Sequence, residues 1–178
     1  MTNTTELDTW LAEEAAIKHQ LSRGPGAGLA DPDQTRDMSG LDIMRSSMAG
    51  TLPYSTMSET LDFLLVSVGE GCAVFQGTPG TKHLNPMGTV HGGWFATLLD
   101  SALGCAVWTR VPVGKGYTTA ELSVNLVRAL TPQVPRVRAI GQVIHCGRQL
   151  ATAEARLIGP DGTLYAHATT TCLVLDKK

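Results

Sequence analysis

The sequence lacks most of what marks a metal, redox, membrane or nucleic-acid-binding protein. Its four cysteines, Cys72, Cys105, Cys146 and Cys172, are far apart and form no Cys-x-x-Cys pair, so neither a zinc-ligand nor a dithiol motif is present. No metal and no cofactor is expected, and each cysteine reads as a small buried hydrophobe. There is no excess of positive charge: 14 Lys and Arg stand against 16 Asp and Glu, for a net charge of -2. That balance offers no basic field for nucleic acid or an anionic membrane. No apolar run approaches the roughly 20 residues of a membrane span, and stretches such as Leu61–Val68 are far shorter. Residues 1–20 are polar and acidic, without the apolar core of a secretory signal, so a cytoplasmic protein is expected. A Gly-x-Ser-x-Gly elbow and a Cys/His pairing are also missing, which counts against a serine or cysteine nucleophile.

What is present is an ordinary globular composition, 43% hydrophobic and 17% charged, in a chain long enough for one sizeable core. Thr5–Leu21 reads as an amphipathic helix, with Leu7, Trp10, Leu11 and Ile17 near one face and Thr5 and Asp8 spaced as a cap. Arg23–Asp33 is rich in Gly and Pro and reads as a loop. Ser39, Asp42 and Gly50 bracket a second short helix. Residues 1–55 are therefore expected to form a helical extension that packs on, or tethers to, a main domain at 56–178.

In that domain, Leu61–Val68 and Cys72–Gln76 read as two strands, and His91 to about Trp108 as one long helix. Four alternating runs follow: Thr119–Val127, Val137–His145, Leu150–Leu157 and Leu164–Leu173. The last two are joined at Pro160-Asp161-Gly162, where glycine supplies the positive φ of a tight turn. Consecutive antiparallel strands and one helix bury their apolar faces by curling the sheet around the helix. The expected fold class is thus α+β: a hotdog, an antiparallel sheet wrapped around one long central helix, with the helical extension added.

The helix has an apolar stripe at Phe95, Leu98, Leu99, Ala102, Leu103 and Ala106. A different face carries Gly93, Ala96, Asp100, Gly104 and Val107. A solvated face would carry Lys, Glu and Gln. Small residues instead admit a close neighbour, either a packed backbone that satisfies Asp100 or a slim ligand. Before the helix runs a glycine-rich loop, His83 to Gly93. The first N–H groups of a helix lack internal partners and carry partial positive charge. Gly92 and Gly93 leave them unshielded, fit to hydrogen-bond a carbonyl oxygen that gains charge in acyl transfer. Asp100 lies about 12 Å further along by helical rise. If both groups serve one reaction, they come from two subunits.

Asn85-x-x-Gly88-x-x-His91-Gly92-Gly93 followed by Leu98-Leu99-Asp100 resembles the signature of PaaI-like hotdog acyl-CoA thioesterases. Tyr117–Asn125 and Gly147-Arg148 look like the same family, and the resemblance covers roughly residues 59–175. It implies hydrolysis of acyl-CoA to a free acid and CoA by a homodimer or homotetramer. By position, Asp100 matches the acidic residue that acts as general base or as nucleophile. Gly92 matches the glycine whose N–H polarises the carbonyl, and Asn85 the amide placed near the carbonyl or the attacking water. His91 matches the histidine beside that glycine, and Thr119 a hydroxyl that positions water, with Thr118 as a substitute. Gly93 is expected to line the substrate site, and Arg128 and Arg148 to meet CoA phosphates.

Each residue also has a plainer reading. Asn85 before Pro86 starts a turn, His91 caps the helix, and Trp94 and Trp108 pack. Two other functions fit the fold, a non-catalytic acyl-CoA sensor and an enoyl- or hydroxyacyl-thioester hydratase-dehydratase. The first departs from the pattern in lacking a partner module, because residues 1–55 have no Lys/Arg cluster for DNA. The second requires a base such as His91 beside Asp100.

Overall fold

Thr5 starts the first element by accepting a hydrogen bond from the Asp8 N–H, while the Asp8 carboxylate accepts from the Thr5 N–H. The computed structural model of the protein describes residues 5–176. Helix α1 spans Glu6–Leu21 and α3 spans Gly40–Met48 from a Ser39 cap. Gly50 follows at φ +72 and ends that turn. Two short helices were not foreseen. The first, α2 (Pro32–Thr35), follows an Asp31 cap with proline in its first turn. The second, α4 (Thr56–Thr60), lies just before the domain strands. Asp62, at φ 53, makes the bend after α4, so the first strand starts later than the hydrophobic run Leu61–Val68 implied.

Six strands follow in one sheet: β1 (Phe63–Gly69), β2 (Cys72–Gly77), β3 (Lys115–Leu126), β4 (Val137–Cys146), β5 (Leu150–Ile158) and β6 (Leu164–Asp176). The order across the sheet is β1-β2-β4-β5-β6-β3, and every pairing is antiparallel. Between β2 and β3 the chain forms α5, Gly92–Trp108. The hotdog expectation is met in both topology and placement. Phe95, Leu98, Leu99, Ala102, Leu103 and Ala106 are all buried against the sheet. Alternate positions of β5 and β6 face them with small side chains: Ala151, Ala153 and Ala155, then Ala166 and Ala168. Opposite Ala102, β4 has Gly141, where a Cβ would stand 2.3 Å from the Ala102 carbonyl oxygen. Helix and sheet meet so closely because that side chain is missing. No described helix is long and apolar enough to cross a membrane.

The extension packs on the domain through both apolar and polar contacts. Trp10 is buried under the Arg138 guanidinium, 4.4 Å from its ring centre. Glu14 is buried, accepts from Gln76 Nε2 at 2.8 Å, and is paired with Arg136 and Lys18. Burial alone would raise its pKa, but those partners outweigh burial and hold the carboxyl below its usual value. On α3, Gly40 sits so close to Trp108 of α5 that a Cβ would be 2.4 Å from its carbonyl oxygen.

Candidate active site

The loop into α5 is built by Asn85. Its Oδ1 accepts from the N–H groups of Met87 (2.9 Å) and Thr89 (3.3 Å), and its Nδ2 donates to Thr89 Oγ1 at 2.8 Å. Backbone bonds complete the tight turn: Asn85 N–H donates to Thr89, and Gly88 N–H to Asn85. Gly88 is at φ +83. The turn-forming role foreseen for Asn85 is real, and Thr89, which the sequence did not single out, is its main partner. Upstream, His83 is buried, stacks on Trp94 at 5.3 Å, and accepts at Nδ1 from Gly80 N–H. Its Nε2 has no partner among the described residues and lies 3.9 Å from Asp62. Burial lowers the His83 pKa, with Asp62 opposing. Since Nδ1 accepts, the proton of the neutral ring sits on Nε2.

His91 is the N-cap of α5, and its Nδ1 accepts from Gly93 N–H at 2.9 Å. The two glycines therefore differ. Gly93 has given its N–H to the cap, while Gly92 N–H has no partner among the described residues. Gly92 lies in a cleft of about 240 Å³ with Asn85, Thr89, Leu126 and Arg128. A Cβ on Gly92 would be 2.9 Å from Leu126. The structure thus gathers Asn85, Gly92 and Arg128 at one end of the helix.

Asp100 is elsewhere. It is half-buried on α5, and Thr119 on β3 donates its hydroxyl to Asp100 Oδ1 at 3.1 Å. Thr119 pairs in register with buried Cys172 and so points inward, whereas Thr118 is exposed. Of the two threonines, Thr119 meets the carboxylate. Four residues along the helix from Asp100, the space over Gly104 is filled by Tyr117 of the same chain: a Cβ at Gly104 would be 2.7 Å from the Tyr117 hydroxyl. This half of the small-residue face therefore receives a side chain of its own protomer, which the sequence did not reveal. Burial first, and the charge of Asp100 second, pushes the Cys105 thiol up to about 12. Burial also raises Tyr117 well above its usual value. Both stay protonated at neutral pH, so the thiol near Asp100 is no thiolate nucleophile.

Arg128 and Arg148 are both exposed, and neither has an ion pair within 4.0 Å among the described residues. They lie at opposite ends of the sheet. Leu126 pairs with Ala166 and Leu150 with Leu173, seven residues apart on β6, or about 23 Å by strand rise. Trp94 and Trp108 pack as expected: Trp94 is buried and donates to the Leu61 carbonyl, and Trp108 touches Gly40 and Tyr117.

Residues 87–166 match the thioesterase superfamily. A Halobacterium salinarum protein that carries the provisional name of esterase is 34% identical over 91 residues. The match spans 50% of this chain and only 58% of that relative's length. Among solved structures, a Thermus thermophilus protein is 29% identical with a TM-score of 0.61, covering 67% of this chain and 97% of its own. A conserved Pseudomonas aeruginosa protein, also 29% identical, has a TM-score of 0.64 over 68% of this chain and 95% of its own. A variant of the phenylacetic acid degradation protein PaaI of Thermus thermophilus is 28% identical, with a TM-score of 0.59 over 66% of this chain and 96% of its own. Together with the sheet order and the single enclosed helix, these show a hotdog fold whose residues 87–166 match the thioesterase superfamily and which is similar to PaaI and other solved hotdog proteins.

Proposed function

We propose that the protein hydrolyses acyl-CoA thioesters to a free carboxylic acid and CoA, as a homodimer or dimer of dimers with composite sites. The observation that carries this reading is Asp100, half-buried on the central helix and held at 3.1 Å by the Thr119 hydroxyl. A thioester is already an activated acyl group, so a carboxylate and one oxyanion donor suffice. Asp100 accepts a proton from water as the water oxygen bonds to the carbonyl carbon, and Thr119 fixes the carboxylate for that step. The carbonyl oxygen gains charge beside Gly92 N–H, which has no other partner among the described residues. When the C=O bond re-forms, the C–S bond breaks and CoA leaves as its thiolate. The route through a mixed anhydride at Asp100 uses the same groups.

Gly92 and Asp100 are eight residues apart on one helix, about 12 Å by rise, too far to grip one thioester. The donor of one protomer therefore works with the carboxylate of its partner. β3 is an edge strand, bonded only to β6 among the described residues, and its free edge suits such a partner. Arg128, beside the Gly92 cleft, suits CoA phosphates, and Arg148 serves the same anion from the other protomer. Asn85 shapes the cleft and keeps one Nδ2 hydrogen beyond its bond to Thr89. In this reading His91 caps the helix and holds Gly93 in place without taking a proton from substrate. The test is thiol release from phenylacetyl-, benzoyl- and hexanoyl-CoA by wild type and Asp100→Asn. The expected result is turnover by wild type and a loss of about 10⁴-fold in the variant. Turnover retained in Asp100→Asn contradicts the assignment.

A further inference from the structure

Past Asp100, α5 enters a second environment. Cys105 and Trp108, five and eight residues further along, line an apolar cavity of about 310 Å³. Its other walls include Leu65 of β1, Phe75 of β2, and Ile43 and Met48 of α3. The cavity opens to solvent beside the exposed Leu29, and pockets for small organic ligands start at about 300 Å³. This cavity reaches that size, and its lining is overwhelmingly hydrocarbon.

Two observations connect it with the Asp100 site. Tyr117 lies over Gly104, beside Asp100, and its ring is 6.2 Å from that of Trp108, which lines the cavity. Tyr117 thus stands between the Asp100 face of the helix and the Trp108 side of the cavity. Cys105, which faces the cavity, is also close enough to Asp100 to feel its charge. The outer wall, by contrast, comes from the N-terminal extension. The solved relatives are covered over 95% to 97% of their lengths while spanning only 66% to 68% of this one, and α1, α3 and Pro53–Ser58 supply most of the remaining lining.

We propose that this cavity takes the apolar tail of the acyl group, and that the N-terminal extension thereby selects thioesters whose hydrocarbon tail reaches past Tyr117 over those with a short acyl group. The proposal rests on the thioesterase reading above. The thioester carbon stands at Asp100, the tail runs beside Tyr117 toward Trp108 of the same protomer, and CoA leaves in the opposite direction toward Arg128 of the partner subunit. Each methylene buried in such a cavity strengthens binding by about fourfold, so the preference rises with chain length until the cavity is full.

Ala30 is half-buried and lines the cavity from the extension side, so Ala30→Trp fills it without touching Asp100, Thr119 or Gly92. kcat/KM is measured for acetyl-, hexanoyl- and dodecanoyl-CoA. Binding of the unhydrolysable thioethers S-ethyl-CoA and S-dodecyl-CoA is measured by calorimetry. Wild type should favour dodecanoyl over acetyl by about 100-fold or more, and Ala30→Trp should lose at least about tenfold on dodecanoyl with acetyl unchanged within about twofold. The thioethers should follow the same pattern. Met48→Ala, which widens the cavity, should shift the preference toward hexadecanoyl-CoA and covers the case in which Ala30→Trp does not fold. Equal effects of a variant on short and long chains, or S-dodecyl-CoA binding that ignores both variants, overturns the proposal. If wild type hydrolyses none of these thioesters yet binds S-dodecyl-CoA in a manner sensitive to Ala30, the cavity assignment holds and the hydrolase reading fails.

Discussion

The two ends of the central helix carry the same sequence feature with opposite outcomes. At its start, Gly92 borders an open cleft and keeps a free N–H among the described residues. Twelve residues on, Gly104 is covered by Tyr117 of the same chain. A glycine on a helix face says that something comes close. What comes close depends on which element the fold brings there: at Gly92 the tip of Leu126 comes close at the rim of an open cleft, and at Gly104 a β3 aromatic fills the gap. The first borders an open cleft and the second is packed.

Gly92→Pro breaks the comparison at its functional end. Proline is well tolerated in the first helical position and lacks the N–H, and His91 before it already has extended geometry at ψ 136. The helix should persist, with the exposed Leu126 side chain shifting to admit the ring, while thiol release falls about 10²- to 10³-fold, the usual cost of one oxyanion donor. Unchanged turnover would assign Gly92 to packing alone. Gly104→Ala sharpens the other end. Alanine favours the helix by about 1 kcal/mol, but its Cβ meets the enclosed Tyr117 ring, and overpacking costs about 1–3 kcal/mol. A net destabilisation of about 1 kcal/mol is expected in chemical denaturation, whereas a stabilised variant would mean that Tyr117 swings aside freely.

The smallest effect concerns the loop that aims Gly92. His83 is buried and its pKa is lowered from 6.5. The unfolded chain then binds more protons than the folded one as pH drops below about 6.5, so the stability from the neutral ring is present above that value and lost as pH falls toward the lower folded pKa. Thermal midpoints measured between pH 7 and pH 5 should decline, and His83→Gln should flatten the decline. An identical slope in the variant would place the titrating group elsewhere.

Much of this was legible in the sequence because it is periodic or capped. The stripe from Phe95 to Ala106, the Thr5 and Ser39 caps, and the hairpin at Gly162 (φ +81) all depend on neighbours within a few residues. Asp100 and Thr119 were each reached through a family signature, but their contact was not, since nothing local aligns a helix residue with a strand 19 positions later. Tyr117 over Gly104, Thr89 under Asn85 and the burial of His83 against Trp94 escaped for the same reason. Their partners are chosen by how helix and strands pack. Helix α4 escaped because Thr56–Thr60 is too short to show a period.

The central claim is that the donor at one end of the helix and the carboxylate in its middle belong to the same reaction across two subunits. Subunit mixing tests it directly. Asp100→Asn and Gly92→Pro protomers, each nearly inactive alone, are unfolded together, refolded at equal concentration and assayed for thiol release. Composite sites predict recovery to about a quarter of wild-type activity, because half of the random dimers are mixed and one of their two sites is intact. No recovery, with mixed dimers demonstrated by mass, would place both groups' action within a single protomer and contradict the account.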